Sequence, residues 1–205
     1  MGNKPSGPML DEEEIQGICA STGFNRNQLL RLHRRFVELD RDGNGYLTKD
    51  DMMRITKLNV NPLGERVVDA FFTESQDYSG MNYRDYATEV PCEKVSFPQF
   101  VKVLARFRPP SKKDANELNT RLQKLRFAFS MYDLEKNNYI TRDEFRQILQ
   151  KMVGGNVSDE QLDSIVDRTI GEADQAKDGQ ISFEEFCKAM QRTDVEQKMS
   201  IRFLS

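Results

Sequence analysis

Apolar residues recur at Leu29, Leu32, Phe36 and Leu39 between Arg26 and Leu39, the three- and four-residue spacing that gathers them on one face of a helix. A similar spacing returns at Val67, Val68, Phe71 and Phe72, and again at Leu122, Leu125, Phe129 and Tyr132 within Asn119 to Tyr132. Asp11 to Ala20 reads as a short acidic helix broken at Thr22-Gly23-Phe24, and Asp50 to Lys57 as a helix leaving the first polar loop. Asn61-Pro62 starts another, because proline suits a helix's first turn. Ser158-Asp159-Glu160-Gln161 is a capping box opening a helix to Ala173, and Thr193-Asp194-Val195-Glu196 opens a last short one. The chain is predicted to be all-α, built from repeated helix-loop-helix units.

The polar loops between these helices carry the chemistry. Asp40 to Asp51, DRDGNGYLTKDD, puts Asp40, Asp42 and Asn44 at loop positions one, three and five. Gly45 makes the turn at six, Tyr46 offers its carbonyl at seven, Leu47 is an apolar plug at eight and Asp51 closes at twelve. A hard cation such as calcium needs about six to eight oxygens, and alternate positions of a bent loop bring successive side chains to one point. Asp51 is shorter than the usual glutamate, which disfavours bidentate reach and makes magnesium an alternative to calcium in this loop.

Three echoes follow. Aligning Val95 with Leu47 gives Thr88, Val90, Cys92 and Gln99 at positions one, three, five and twelve, a set that assembles no carboxylate cage. The third loop, Asp133 to Glu144, supplies Asp133, Glu135, Asn137, the Tyr139 carbonyl and Glu144; Asn138 replaces the turn glycine, a substitution expected to weaken the site without abolishing it. The fourth, Asp174 to Glu185, supplies Asp174, Asp178, Gly179, the Gln180 carbonyl and Glu185, with Ser182 placed to hold a bridging water and Ala176 leaving position three without a ligand. Position-eight residues are expected to pair as short strands, Leu47 with Val95 and Ile140 with Ile181, giving two lobes of two units.

Four units fill the 205 residues as follows. Residues 1–26 form an N-terminal segment with a short helix, 27–107 the first lobe, 108–118 a charged proline-containing linker, 119–192 the second lobe and 193–205 a C-terminal helix and tail. Within the first lobe, residues 74–93 are a long polar insertion expected to be disordered. Phe100, Leu104, Ile148, Met152 and Met190 are candidates for lining a groove that would hold a partner helix, with core packing as the alternative.

Charged residues are 31% of the chain and the formal net charge is only −3, so no bulk field recruits nucleic acid. Cys19, Cys92 and Cys187 are too scattered for a disulfide framework or a zinc site. No apolar run approaches the ~20 residues of a membrane span. Met1-Gly2-Asn3-Lys4-Pro5-Ser6 fits the myristoylation pattern with Gly2 as acceptor, which implies a membrane surface as a binding partner. His33, the single histidine, is expected at a solvated helix position beside Arg31, Arg34 and Arg35. With no paired carboxylate near it, no glycine-rich phosphate loop and no activated serine or cysteine, the inventory argues against an enzyme.

Lys124 to Phe129 running into Met131-Tyr132-Asp133, then Lys151 to Asn156, then Asp178 to Phe183, are similar to calcineurin B and its relatives, within the EF-hand superfamily. Thr22-Gly23-Phe24, Phe107-Arg108-Pro109 and the terminal Asp194 to Leu204 resemble the calcineurin B homologous proteins in particular. That resemblance implies a myristoylated calcium-binding protein of the cytoplasm and the cytoplasmic face of the plasma membrane. Its groove would hold a juxtamembrane helix of sodium/proton exchangers and support their stability and transport. The alternative it leaves open is the regulatory subunit of a calcineurin-like phosphatase. In that family the third and fourth hands are the usual calcium sites and the first is degenerate, whereas here the first has the best ligand set.

Overall fold

The computed structural model describes residues 10–75, 94–109 and 116–199. The first part comprises α1 (Glu12–Thr22), α2 (Arg26–Leu39), β1 (Tyr46–Leu47), α3 (Lys49–Met53), α4 (Thr56–Asn59), α5 (Gly64–Ser75), β2 (Val95–Ser96) and α6 (Phe97–Ala105). The second comprises α7 (Arg121–Tyr132), β3 (Tyr139–Thr141), α8 (Arg142–Val153), α9 (Asp159–Ala173), β4 (Gln180–Ser182), α10 (Phe183–Ala189) and α11 (Val195–Lys198). The fold is the all-α, EF-hand arrangement that the helical periodicity and loop spacing predict.

Local chemistry sets most helix boundaries. Asp11 caps α1 and Asn25 caps α2, each through a reciprocal bond with the residue three places on, and Ser158 does the same for α9. The two strand pairs are antiparallel with Leu47 opposite Val95 and Ile140 opposite Ile181, the predicted register. All four residues are at most 4% exposed, so each ladder is also a hydrophobic plug joining two loops back to back.

Two cores form around these plugs. In the first, the Phe36 ring meets Phe97 at 5.4 Å and Phe100 at 5.6 Å, both edge-on, with Leu29, Leu32, Val68 and Phe71 around them. The second is built on Phe129, met edge-on by Phe183 at 5.4 Å and Phe186 at 5.5 Å, with Ile140, Val166, Ile170 and Ile181. The lobes are joined: Phe107 packs edge-on against Phe127 of α7 at 4.8 Å. Arg66 of α5 donates to the carbonyls of Ser130 and Met131 at 3.1 and 3.0 Å, capping the end of α7 from the other lobe.

Several elements differ from the sequence expectation. The helix expected over Asp50 to Lys57 is two, α3 and α4, because Ile55 is extended between them. The helix expected from Asn61-Pro62 begins at Gly64, with the Asn61 side chain accepting from Leu63 N at 2.9 Å in the preceding turn. Gly64 is required there: a Cβ would lie 1.9 Å from the Leu58 carbonyl oxygen, so only glycine lets α4 close onto α5. His33 is half-buried, its ring 4.9 Å from Phe97 and edge-on, and desolvation lowers its pKa.

On α7 the stripe is rotated. Leu122 is 57% exposed while Lys124 is fully buried, its ammonium bonded to the Asn119 side chain, because α7 packs against α5, α10 and α11. Glu74 and Ser75 of the expected insertion are the last turn of α5. Gly2, residues 76–93 with Thr88, Val90 and Cys92, linker residues 110–115 and the tail from Ser200 lie outside the described residues.

Candidate metal centres

Loops one, three and four adopt the same hydrogen-bonded bend although their sequences differ. The position-one carboxylate accepts the N–H groups of positions five and six: Asp40 from Asn44 and Gly45 at 3.1 and 2.8 Å, Asp133 from Asn137 and Asn138 at 3.0 and 2.9 Å. Asp174 accepts from Asp178 and Gly179 at 3.3 and 2.8 Å. The position-five side chain then accepts from the N–H of position seven: Asn44 from Tyr46, Asn137 from Tyr139 and Asp178 from Gln180. These bonds fix the oxygens of positions one and five within the bend.

Positive φ occurs at position six, 85° for Gly45, 69° for Asn138 and 84° for Gly179, and also at position four, 65° for Gly43, 55° for Lys136 and 60° for Lys177. The position-four requirement is invisible in loops three and four, where lysine occupies it. Loop one, with glycine at both places, adopts the bend with least strain. Asn138→Gly is accordingly expected to tighten calcium in loop three by up to about fivefold, and looser binding in a calcium titration would contradict that reading.

Position twelve closes each loop. Glu144 Oε1 accepts from Leu134 N and Glu135 N at 2.7 and 3.0 Å, while Oε2 accepts from the N–H and hydroxyl of Thr141, both at 2.8 Å. Glu185 repeats this, with Gln175 N and Ala176 N at 2.8 and 3.0 Å on Oε1 and Ser182 N and Oγ at 2.9 and 2.7 Å on Oε2. Ser182, expected to hold a bridging water, also orients Glu185. Gln99 closes the second unit with a neutral amide oxygen, accepting from Ser96 N and Oγ at 2.9 and 2.8 Å. The hydroxyl residue at position nine is a ligand-orienting feature that the loop spacing does not announce; its signal is the capping box Thr/Ser-x-x-Glu.

Asp51 differs. Its Oδ2 accepts from Thr48 N and Oγ1 at 2.9 and 2.7 Å, but its Oδ1 turns to the Arg54 guanidinium at 2.8 Å and does not cross the loop.

Positions one and twelve are the buried members in loops one and three: Asp40 and Asp51 are 6% and 5% exposed, Asp133 and Glu144 6% and 3%. Asp42, Asn44, Glu135, Asn137 and Asp178 are exposed. Burial raises the pKa of Asp133, offset in part by the N–H bonds from Asn138 and Asn137, and Glu144 nearby adds to the rise. Glu185, held by Ser182 and the loop N–H groups, is lowered to about 2. Asp133 and Glu144 are two buried like-charged carboxylates in one loop, the situation a divalent cation resolves.

The donor set fits a hard ion. It is oxygen throughout, carboxylate, amide and carbonyl, with neither sulfur nor imidazole. Among the described residues no three Asp, Glu, His or Cys side chains come together closely enough to hold a metal by themselves. An ion would therefore draw also on Asn44, Asn137 and the carbonyls of Tyr46, Tyr139 and Gln180.

The candidate groove residues are distributed differently. Phe100 and Ile148 are 5% and 1% exposed and belong to the interior. Leu104 packs half-buried on the first core, and the Met190 carbonyl accepts from Arg121 at 2.7 Å. Met152, at 51% exposure, is the one of the five with more than half its surface open.

Residues 32–56 match the EF hand family, and residues 122–191 match the EF-hand domain pair family. The chain is also 39% identical over 193 residues to a calcineurin B protein from Naegleria gruberi, a match covering 94% of this chain and 96% of that one. The chain belongs to the calcineurin B family of EF-hand proteins. Membership implies calcium as the ion, and the matched stretches contain loops one, three and four, which are hands one, three and four of the fold.

Proposed function

We propose that this calcineurin B family protein is a calcium-binding regulatory subunit that holds a juxtamembrane helix of a plasma-membrane sodium/proton exchanger and supports its stability and transport. The observation that supports the exchanger branch is the resemblance of three segments to the calcineurin B homologous proteins, two of which pack together. Arg108 donates to the Thr22 carbonyl at 3.1 Å and its guanidinium lies 5.3 Å from the Phe24 ring centroid. Gly23 between them has φ 69°, and a Cβ there would meet the Arg108 guanidinium nitrogen at 2.1 Å. Asn116 donates to the Ser21 carbonyl at 3.2 Å, so both ends of the linker fasten to the end of α1. In the third segment Val195 is 2% exposed and Met199 packs on the first core.

The second reading, regulatory subunit of a calcineurin-like phosphatase, is favoured by the 39% identity to a calcineurin B protein. Calorimetric titration of the full chain against two synthetic helices, an exchanger juxtamembrane segment and a phosphatase catalytic-subunit segment, separates the two. Binding of the first alone supports the exchanger role; binding of the second alone transfers the protein to the phosphatase branch.

The membrane surface is the other proposed partner, reached through a myristoyl group on Gly2 at the cytoplasmic face of the plasma membrane. One such chain binds membrane only marginally, with K about 10⁴ M⁻¹, so the exchanger helix supplies the second attachment. Gly2→Ala is expected to abolish acylation and reduce membrane residence without changing the melting temperature. Unmodified Gly2 in the native protein, read by mass spectrometry, would contradict the anchor.

A further inference from the structure

Hand one carries a cation of its own. Asp51, which closes the loop, is 5% exposed, and its Oδ1 accepts from Arg54 at 2.8 Å. In hands three and four the corresponding oxygen is occupied by the N–H groups of positions two and three, across the loop. In hand one that closure is not made: the N–H of Arg41, at position two, donates back to the Leu39 carbonyl at 2.9 Å. The arginine's offset from position twelve is also distinctive. Three residues beyond Glu144 stands the neutral Gln147, and three beyond Glu185 stands Lys188, whose ammonium pairs with Glu184 at 2.8 Å rather than with the closing glutamate.

We propose that Arg54 is the resident counter-cation of hand one, a specificity-determining residue that a divalent ion must displace from Asp51 before the loop can close on it. The consequence follows from charge and geometry. Asp51 is too short to serve Thr48, the ion and Arg54 together, and a guanidinium beside the site also repels the incoming ion. Hand one therefore holds its bend without metal and fills at higher ion concentration than its complete ligand set alone would give. Arg54 is half-exposed, so it can swing into solvent when displaced, and the pair is worth little more than a partly screened ion pair.

The inference rests on hand one accepting a divalent ion, and a site-resolved experiment keeps the two apart. The Gly45 N–H donates to Asp40 and the Gly179 N–H to Asp174, each at 2.8 Å, so their amide resonances report ions in hands one and four separately. In the full chain titrated with calcium, and separately with magnesium, Arg54→Gln is expected to move the Gly45 midpoint to about fivefold lower concentration and leave the Gly179 midpoint in place. Arg54→Met, which keeps the aliphatic stem, gives the same shift if Arg54→Gln folds poorly. Equal Gly45 midpoints in wild type and both variants overturn the role of Arg54 while leaving hand one a metal site. A Gly45 resonance that answers neither ion in any of the proteins overturns the reading of hand one itself.

Discussion

Glu144→Gln is expected to weaken calcium binding at hand three by on the order of 100-fold. Glu144 is 3% exposed and both its oxygens accept: Oε1 from two N–H groups at the start of the loop, Oε2 from the N–H and hydroxyl of Thr141. Glutamine removes the charge of one of the loop's three candidate carboxylate ligands, Asp133, Glu135 and Glu144. It also turns an NH2 toward part-buried N–H and O–H donors, so that one oxygen's bonds are lost. The loss should be confined to hand three, so in a calcium titration the Asn138 amide should cease to respond at concentrations where Gly179 still does. An unchanged Asn138 midpoint would show that Glu144 is not a ligand.

Phe100→Ala is expected to cost about 3–5 kcal/mol of folding stability. The ring is 5% exposed, meets Phe36 edge-on at 5.6 Å and Phe71 at 5.7 Å, and its removal leaves a cavity walled by other aromatic rings that cannot collapse without repacking. Urea unfolding measures the change. A loss under about 1 kcal/mol would place Phe100 at a surface and return it to the groove, where truncation weakens partner binding instead.

How far the sequence reached depended on whether a feature is local. The bounds Arg26–Leu39 and Asp159–Ala173 and the register of Leu47 with Val95 and of Ile140 with Ile181 all follow from short spacings. Cap residues, helical period and the twelve-residue rhythm act within a few residues of where they are written. What escaped is tertiary. Lys124 stands among Arg121, Gln123 and Arg126 yet is buried because α5, α10 and α11 pack around its helix; its ammonium finds Asn119, and burial lowers its pKa. His33 looked solvated among arginines until Phe97, far along the chain, arrived at its ring.

The candidate site shows the same division. The candidate ligands at one, three, five and twelve are a matter of spacing, but the direction in which Asp51 points is decided by its length and by Arg54 on the following turn. The left-handed backbone at Lys136 and Lys177 could not be read from residue type, because lysine gives no sign of it. The link between the lobes, Arg66 reaching the last carbonyls before Asp133, likewise depends on how α5 and α7 pack.

Native mass spectrometry of the full chain, in saturating calcium and after chelation, tests whether three of the four hands are metal sites while the second is closed by a neutral Gln99. Three calcium ions are expected to be bound, with Glu144→Gln and Glu185→Gln each removing one. A chain that takes up no calcium, or a count that neither variant changes, would show that these loops are not the metal sites.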